Sequence, residues 1–274
     1  MKIASILPYK ENYTSKGAGA VSLWVNDFMK FSKYKKDIMV FGNSKPNNYL
    51  SKNYTNIKID NINSKFYSST KEYLDKIINQ LNNENFDLIE IHNRPVMLDR
   101  LTKNIDSKFV LYFHNDPRSM KGAKTSKERF SLLQKADKII FISNWVKEKF
   151  FENLELRDHN KTEIIYHSIN PIKKISKKKK QIVFVGKLNE AKGYDLFCEA
   201  LSDVLDEHLK WEAYSAGDEK RFSPFKNHKK HFNLGLLSHK KTLAMFEQSE
   251  IAVIPSRWQE PFGRTSLESS SRGC

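Results

Sequence analysis

The feature that most constrains the fold is a regular alternation of strand-length apolar runs with segments of helical periodicity. Apolar runs of this length, rich in β-branched residues, predict strands. Those before residue 170 are Ile3–Leu7, Ile38–Phe41, Asn56–Ile59, Leu88–His92, Phe109–His114, Lys138–Ile142 and Glu163–Tyr166. The helical segments among them are Val21–Phe31, Ser69–Asn82, Lys127–Lys135 and Trp145–Asn153. Because strands that alternate with helices form βαβ units, the pattern predicts an α/β fold with a doubly wound, largely parallel sheet.

A second α/β series follows a break near residue 170. Asn170-Pro171 is a turn signal, and the lysine-rich run at 173–180 has no apolar periodicity. The second series comprises strands Ile182–Val185, Trp211–Ser215, a short strand near Phe232 and Ile251–Ile254, with helices Tyr194–Leu205 and Lys241–Gln248. We therefore predict one domain at 1–172 and another at 181–274, joined by a solvated linker at 173–180.

Composition narrows the classes of partner. The net charge of +15, from 47 basic and 32 acidic residues, favours anionic ligands or an anionic membrane face. The alternative reading of the lysine run is a nucleic-acid or acidic-lipid patch. Single-strand binding would need interleaved aromatic residues, and 173–180 has none, so we expect no nucleic-acid partner. Two cysteines favour a reducing compartment, which predicts a cytoplasmic protein. The positive charge predicts peripheral association at the inner face of the cell membrane.

The most informative motif is IAVIPSRWQEPFGRTSLE, which spans residues 251–268. The order predicts a strand, an active-site loop carrying Glu260, and a helix that begins after Gly263 and carries Glu268. Ligands of open α/β sheets bind beyond the carboxyl ends of strands. The helix rises about 6 Å from Arg264 to Glu268, so the two carboxylates are expected at opposite ends of a ligand of nucleotide-sugar length. Between them, the amides of Gly263, Arg264 and Thr265 would point at phosphates.

Two glycine-containing loops are further candidate phosphate sites. VFVGKLNEAKG at 183–193 ends a strand at Gly186, places Lys187 and Lys192 five residues apart, and leads into a helix. Glycine, cations and nearby amides suit a diphosphate, although a plain surface turn is the alternative. KGAGA at 16–20 lets the backbone approach a phosphate or sugar through Gly17 and Gly19, and a flexible loop is the alternative there.

Histidines at strand ends are candidates for contact with a ligand. His114 ends the strand Phe109–His114 and is followed by the polar turn Asn115-Asp116-Pro117. This favours exposure of its ring to a ligand rather than packing in the core. Leu88–His92, followed by Asn93-Arg94-Pro95, repeats the arrangement and is a candidate wall for an acceptor pocket. His228-x-x-His231 has ligand-like spacing but lacks further partners in the sequence, so no metal site is predicted.

PSRWQEPFGRTSLE resembles the Glu-x7-Glu signature of the retaining family-four glycosyltransferases, which have the GT-B fold of two Rossmann-like domains. GKLNEAKG is similar to that family's donor-phosphate loop, KGAGA to its glycine loop, and YFHNDP to its cleft histidine. YHSIN and FISNWVKEKF also resemble stretches of the family, so the resemblance runs in order over nearly the whole chain. It implies a GT-B architecture.

The resemblance implies roles for individual residues. Glu260 would hold the donor sugar, Glu268 the ribose, Lys187 and Lys192 the diphosphate, and His114 would contact the sugar from the opposite wall. We also expect Phe262, beside Gly263, to lie in the donor site. Where this chain has Lys187, the family usually has Arg, which presents a planar fork that Lys lacks. Ala18 stands where many members have a second consecutive glycine.

The function implied is transfer of a hexose-type sugar from a nucleotide diphosphate sugar to a hydroxyl acceptor, with retention and without a metal or other cofactor. The acceptor would be a saccharide or a lipid-linked molecule of cell-envelope polysaccharide or lipopolysaccharide synthesis. Family members normally continue past the position of Cys274 with another strand and closing helices. We therefore expect a fragment whose second sheet is incomplete.

Two alternative functions remain open from the sequence. An inactive or fragmentary protein would bind a nucleotide sugar without turnover. A glycoside hydrolase would use Glu260 and Glu268 as a carboxylate pair roughly 5 to 9.5 Å apart, and such an enzyme needs no phosphate cradle. The two lysines and the glycine before the helix favour the transferase over the hydrolase.

Overall fold

A computed structural model of the protein describes residues 1–45, 48–59, 69–175, 177–218 and 228–274. The chain divides into two compact units, Met1–His167 and Ser168–Cys274. In each unit, parallel strands alternate with helices, as the hydrophobic pattern predicts.

The N-terminal unit is built on a sheet of seven parallel strands among the described residues. The strands are β1 (Ile3–Ile6), β2 (Ile38–Gly42), β3 (Tyr54–Asn56), β4 (Leu88–His92), β5 (Lys108–Phe113), β6 (Lys138–Phe141) and β7 (Thr162–Ile164). The helices are α1 (Ala20–Phe31), α2 (Ser69–Asn82), α3 (Leu98–Asn104), α4 (Ser126–Lys135) and α5 (Asn144–Phe151). The spatial order is β3-β2-β1-β4-β5-β6-β7, so the winding reverses between β1 and β4.

The core of this unit follows from strands that are covered on both faces. All four residues of β1 are buried, and β4 to β6 present nearly continuous apolar runs. The helices contribute one apolar stripe each; in α2 the buried side chains are Tyr73, Leu74, Ile77, Ile78 and Leu81. Reversal of the winding leaves a crevice at the carboxyl ends of β1 and β4, where ligands bind in sheets of this kind.

The C-terminal unit has a sheet of four parallel strands among the described residues. They are β8 (Lys179–Val185), β9 (Glu212–Ala216), β10 (His231–Asn233) and β11 (Ser249–Ala252), in the order β10-β9-β8-β11. The helices are α6 (Tyr194–Glu207), α7 (His239–Gln248) and α8 (Arg264–Ser270). The winding reverses between β8 and β11, which are therefore neighbours whose following loops meet at one edge.

The predicted elements are found in order, with differences at their ends. β3 lies at Tyr54–Asn56 rather than Asn56–Ile59, because its register is set by pairing with β2, where Val40 lies opposite Tyr54. Helix α3 had no counterpart in the prediction, since its seven residues are too few to establish a helical period. The helix predicted to begin after Gly263 is α8.

The lysine-rich segment differs from the solvated linker predicted at 173–180. The boundary between the units falls at His167, before the predicted Ile172, and β8 begins within the run, at Lys179. Lys178 Nζ donates to the carbonyl oxygens of Phe246 at 3.0 Å and Arg272 at 2.7 Å. Ser176, in the same run, lies outside the described residues. Lys178 therefore ties the start of the second sheet to α7 and to the residues after α8.

One close backbone contact fixes the edge of the second sheet where β8 and β11 end. Gly193 begins α6 with φ of +70°, a left-handed conformation that favours glycine. A Cβ at this position would lie only 2.0 Å from the carbonyl oxygen of Pro255, which follows β11. Gly193 thus allows the loop after β8 to pack directly on the loop after β11.

We predict that Gly193→Ala destabilises the protein far more than Gly235→Ala. Gly235 is also left-handed, with φ of +63°, but an added Cβ there would meet nothing within 4 Å. The control should cost about 1 kcal/mol of backbone strain. Gly193→Ala should cost roughly 3 kcal/mol or more, because the backbone at Pro255 must also move. Urea denaturation of both variants measures this, and equal midpoints would contradict the packing argument.

Candidate functional site

Two predicted residues meet at the edge of the second sheet. Lys192 closes a short 3-10 turn, Glu190–Lys192, after β8, and Glu260 lies in the loop after β11. Lys192 Nζ forms an ion pair with Glu260 Oε1, and Ser256 Oγ donates to the same oxygen at 3.0 Å. The side chains of the pair retain 28% and 29% of their exposure. The pair is therefore half-buried, with its geometry fixed and its surface open to a ligand.

The loops that carry this pair are joined by further contacts. The backbone amides of Arg257 and Trp258 both donate to the carbonyl oxygen of Ala191, at 3.1 and 3.2 Å. The guanidinium of Arg257 forms two bonds of 2.6 Å with the carboxylate of Asp195, in the first turn of α6. Lys192 Nζ also lies 5.3 Å from the centroid of the Trp258 ring. The loop after β11 is thus fixed against the loop after β8 by backbone, ion pair and aromatic contacts.

Glu268 is buried rather than solvent-facing, with 6% of its surface exposed. Its Oε1 accepts from Arg264 Nε at 2.7 Å and from His239 Nε2 at 2.8 Å. Burial by itself would raise the pKa of Glu268, but the hydrogen bond from His239 and the charge of Arg264 outweigh it and hold the pKa below its ordinary value. Glu268 is therefore held as a carboxylate. His239, on α7, has no signal in the sequence that would have identified it.

Helix α8 starts as predicted, but with a specific local conformation. Gly263 is its N-cap residue, with φ of +79° and no side-chain cap. The first amides of a helix have no intrahelical acceptor, which makes the start of α8 a candidate site for an anion. Phe262, Arg264 and Thr265 are all partly buried. The sequence analysis used only the backbone amide of Arg264, but its side chain forms an ion pair with Glu268.

The remaining predicted residues of this unit lie after β8. The amide of Gly186 donates to the carbonyl oxygen of Ala216 at 3.0 Å. A Cβ on Gly217 would lie 1.7 Å from the carbonyl oxygen of Gly186, so the loops after β8 and β9 also touch. Lys187 is exposed, and it does not join the ion pair of Lys192 and Glu260. Of the two lysines, Lys192 is therefore paired with Glu260, whereas Lys187 is exposed to solvent.

In the N-terminal unit, His114 is packed in a buried polar chain. It is 4% exposed, contrary to the exposure that its polar flanking turn favoured. Its Nε2 lies 3.0 Å from His92 Nδ1, and His92 Nε2 lies 2.9 Å from Ser5 Oγ. The rings of Trp24 and His167 pack against it at centroid distances of 5.2 and 6.0 Å. Within the described part of the chain, His114 Nδ1 is buried without a hydrogen-bond partner.

The charge state of His114 follows from this environment. Burial, reinforced by the neighbouring His92 and His167, lowers the pKa of His114 well below its ordinary value. The imidazole is therefore neutral at pH 7, and one of its nitrogens can accept a hydrogen bond. A neutral ring with one unpartnered nitrogen is suited to bind a hydroxyl group rather than to hold an anion.

The loop at 16–20 is occupied by a carboxylate of the same chain. Gly17 is left-handed, with φ of +83°, and Gly19 caps α1. Glu11 Oε1 accepts from the amide of Ser22 at 3.1 Å, and a Cβ on Gly19 would lie only 2.1 Å from that oxygen. Burial raises the pKa of Glu11 despite these helix-start bonds. The interpretation of Gly17 and Gly19 as a phosphate-approach loop is thus at odds with the structure, because Glu11 already fills the anion position at the start of α1.

Over the described ranges, no group of three or more His, Cys, Asp or Glu side chains is arranged to hold a metal ion, and His228 is paired with Asp206 at 3.1 Å. Among the helices that the structure describes, none is both long enough and apolar enough to cross a membrane.

Comparison with known proteins gives a family match for the C-terminal unit. Residues 167–274 match the model of the family Glycosyl transferases group 1. Spore coat protein SA of Bacillus subtilis (strain 168) is 23% identical over 314 aligned positions, which cover 100% of this chain and 79% of that protein.

Two solved structures resemble the whole chain. The structure of HepE from Anabaena in complex with UDP-glucose has a TM-score of 0.69 at 14% identity and covers 100% of this chain and 79% of that one. The lipopolysaccharide outer core galactosyltransferase WaaB, in its apo form, has a TM-score of 0.63 at 16% identity, with the same coverage. The fold is therefore that of the GT-B glycosyltransferases. The C-terminal unit is the part of the chain that is similar to the group 1 glycosyltransferase family model.

Glu268→Gln should destabilise the protein by about 3 kcal/mol at pH 7, because it removes the anion from a buried pair. The folded-state pKa of Glu268 is lowered from 4.5, so its contribution is present above pH 4.5 and is lost as the pH falls through the folded-state value. The difference between variant and wild type should therefore shrink below pH 4.5. Glu250→Gln, in an exposed pair with Lys180, is the control and should change stability by less than about 1 kcal/mol. A constant difference from pH 7 to pH 3.5 would contradict the assignment.

The ring of His114 should stay neutral well below pH 6.5, the ordinary pKa of histidine, since burial opposes its charged form. Nitrogen-15 NMR of labelled histidines measures this, with His114→Gln identifying the signal. Titration of that signal near pH 6.5 would show that the ring is solvated and not packed as described.

Proposed function

We propose that the protein transfers a hexose-type sugar from a nucleotide diphosphate sugar to a hydroxyl acceptor, with retention of anomeric configuration. The observation that carries this proposal is the fixed pair of Lys192 and Glu260 at the carboxyl ends of β8 and β11. A cation and a carboxylate joined at a winding reversal suit a ligand that has both phosphate charge and sugar hydroxyls. The family match of this unit and the UDP-glucose bound by HepE support the same ligand class.

The reaction depends above all on stabilising the departing diphosphate, which gains charge as the glycosidic bond breaks. We assign this role to Lys187, Lys192 and the first amides of α8, because cations and preoriented N–H groups act without reorganisation. Lys187 is exposed and can reach a phosphate. Lys192 is held in position by its ion pair with Glu260. Gly186 and Gly263 keep the backbone of both loops open to the phosphates.

The two carboxylates are assigned to the two ends of the donor. Ser256 and Lys192 both contact Oε1 of Glu260, and this leaves Oε2 to accept from sugar hydroxyls. Glu268 has the same arrangement, because Arg264 and His239 both contact its Oε1. Its Oε2 would accept from the ribose hydroxyls, with Phe262 and Thr265 beside it. A carboxylate whose one oxygen is anchored presents the other in a fixed direction, which favours specific binding of a diol.

We propose that His114 acts on the sugar through its unpartnered Nδ1, as a neutral hydrogen-bonding group. Ser5 and His92 orient the ring from the other nitrogen. The acceptor hydroxyl attacks on the face from which the diphosphate leaves, and the leaving phosphate takes its proton. The chemistry assigned to these residues uses no metal ion or other cofactor.

The setting we propose is cell-envelope polysaccharide or lipopolysaccharide synthesis, on a saccharide or lipid-linked acceptor. The similarity to the lipopolysaccharide galactosyltransferase WaaB supports this. The net charge of +15 supports peripheral association of a cytoplasmic protein with an anionic membrane face.

Glu260→Gln should reduce turnover at least roughly 100-fold, because the donor sugar loses an anionic hydrogen-bond acceptor. Release of UDP or GDP from a panel of donor sugars measures this, and titration calorimetry should show that nucleotide binding is retained. The matched control is Glu250→Gln, an identical change at the start of β11, where the carboxylate pairs with exposed Lys180. Undiminished turnover by Glu260→Gln would refute its role, and absence of binding to either nucleotide would refute the proposed function.

A further inference from the structure

The N-terminal unit contains a cavity of about 590 Å³, lined in part by Asn93 and Arg94, which follow the strand proposed from the sequence as a wall of an acceptor pocket. Its position is defined by residues that follow strands on either side of the winding reversal: Tyr9 comes after β1, and Asn93 and Arg94 come after β4. The volume is that of a small-molecule site. This edge of a doubly wound sheet is also where such folds bind ligands.

The lining of the cavity is strongly one-sided in charge. Lys71, Arg94, Arg100 and Lys121 line it, and none of the residues found to line it is acidic. Asp75 pairs with Arg100 from outside the lining and offsets part of this charge. A concave surface with several cations and no carboxylate concentrates anions. The remaining wall includes apolar side chains, Leu74, Val96 and Met120.

Arg94 is the group most clearly prepared for a ligand. Its guanidinium lies 5.4 Å from the centroid of the Tyr9 ring, which sets the plane of the fork. Its Nε is buried and, within the described part of the chain, has no hydrogen-bond partner. A buried N–H donor without a partner is costly, and such groups are rare in native proteins, so this one requires an explanation, for which a bound water or ligand is a candidate. Arg is suited to planar, two-point recognition of phosphate or carboxylate.

The walls of the cavity are fixed by the backbone and are connected to His114. Asn93 has a positive φ of 53°, and its Oδ1 accepts from the amide of His114 at 2.7 Å. Gly122 follows Lys121 with φ of +90°, and a Cβ there would lie 2.8 Å from the amide nitrogen of Val96. Asn93 thus forms part of the cavity wall and also holds the residue assigned to the reacting sugar. The cavity is preformed and adjacent in structure to that residue.

We propose that this cavity binds the acidic group of the acceptor, a phosphate or a carboxylate, while the apolar wall covers the adjoining part of the molecule. This inference rests on the proposed function, since it names the chemical class of the acceptor. Arg94 binds the acidic group with its planar fork, and Lys121 and Lys71 add positive charge. Glu11 offsets part of the charge of Arg94 from outside the lining, and an acidic acceptor would supply an anion within the cavity itself.

The test uses glucose 6-phosphate and glucuronate as acidic probes and glucose as the neutral one. Each is titrated at low salt into the full chain saturated with UDP, so that the donor phosphate site is already filled. At least one acidic probe should bind roughly tenfold or more tightly than glucose, and the preferred probe identifies phosphate or carboxylate as the group. Equal binding of all three probes would overturn the inference.

Variants locate the binding to the cavity. Arg94→Gln should weaken the preferred probe roughly tenfold or more, and Lys121→Gln, at an exposed position that tolerates substitution, should weaken it by a smaller factor. Lys124→Gln, the same charge change on the same loop but outside the lining, is the matched control. An effect of Lys124→Gln equal to that of Lys121→Gln would overturn the inference. UDP binding without discrimination among the probes would refute the inference alone, whereas loss of all nucleotide binding would refute the proposed function itself.

Discussion

The chemistry assigned to the C-terminal unit depends on the close approach of the loops that follow β8 and β11. Parallel pairing places the ends of these strands side by side, but packing decides whether their loops touch. Gly193 removes the side chain that would otherwise strike Pro255, and the carbonyl of Ala191 receives two amides from the other loop. Only this approach brings Lys192 to Glu260. Without it, the two charges would be separate surface groups with little energetic value.

The two units treat helix starts differently. At α8, Gly263 leaves the first amides without a side-chain cap, whereas at α1 the carboxylate of Glu11 occupies the equivalent position. A helix start attracts whatever anion is available, and a carboxylate of the same chain competes with any ligand. This difference supports the proposal that phosphate binds to the C-terminal unit. For the N-terminal unit we propose polar recognition by the buried chain of Ser5, His92 and His114 and by the cationic cavity.

Much of the fold could be predicted because hydrophobic periodicity reports directly on burial. The strands of a doubly wound sheet are apolar on both faces, so their approximate positions along the chain were evident from the sequence. The placement of Glu260 and Lys192 at strand ends followed from the same rule. The sequence could not reveal that the run at 173–180 enters β8, because Lys178 is held by the carbonyl oxygens of Phe246 and Arg272, which are remote in sequence.

Side-chain partners were the least predictable part of the site. Glu11 and His239 act through contacts with residues 11 and 29 positions away, and neither lies in a recognisable motif. The same limit explains His114, for which a polar flanking turn suggested exposure while Trp24 and His167 bury the ring. Flanking residues indicate only the local conformation of the chain. The burial of a side chain is set by residues of other helices and strands that pack against it.

The most direct test of the central claim is hydrogen–deuterium exchange of the full chain with and without saturating nucleotide, using UDP and GDP in turn. The account predicts slower exchange in peptides covering 186–193 and 256–268, with little change at 16–20, where Glu11 already occupies the helix start. Protection confined to 16–20, or no protection in either C-terminal segment with a nucleotide that binds, would contradict it.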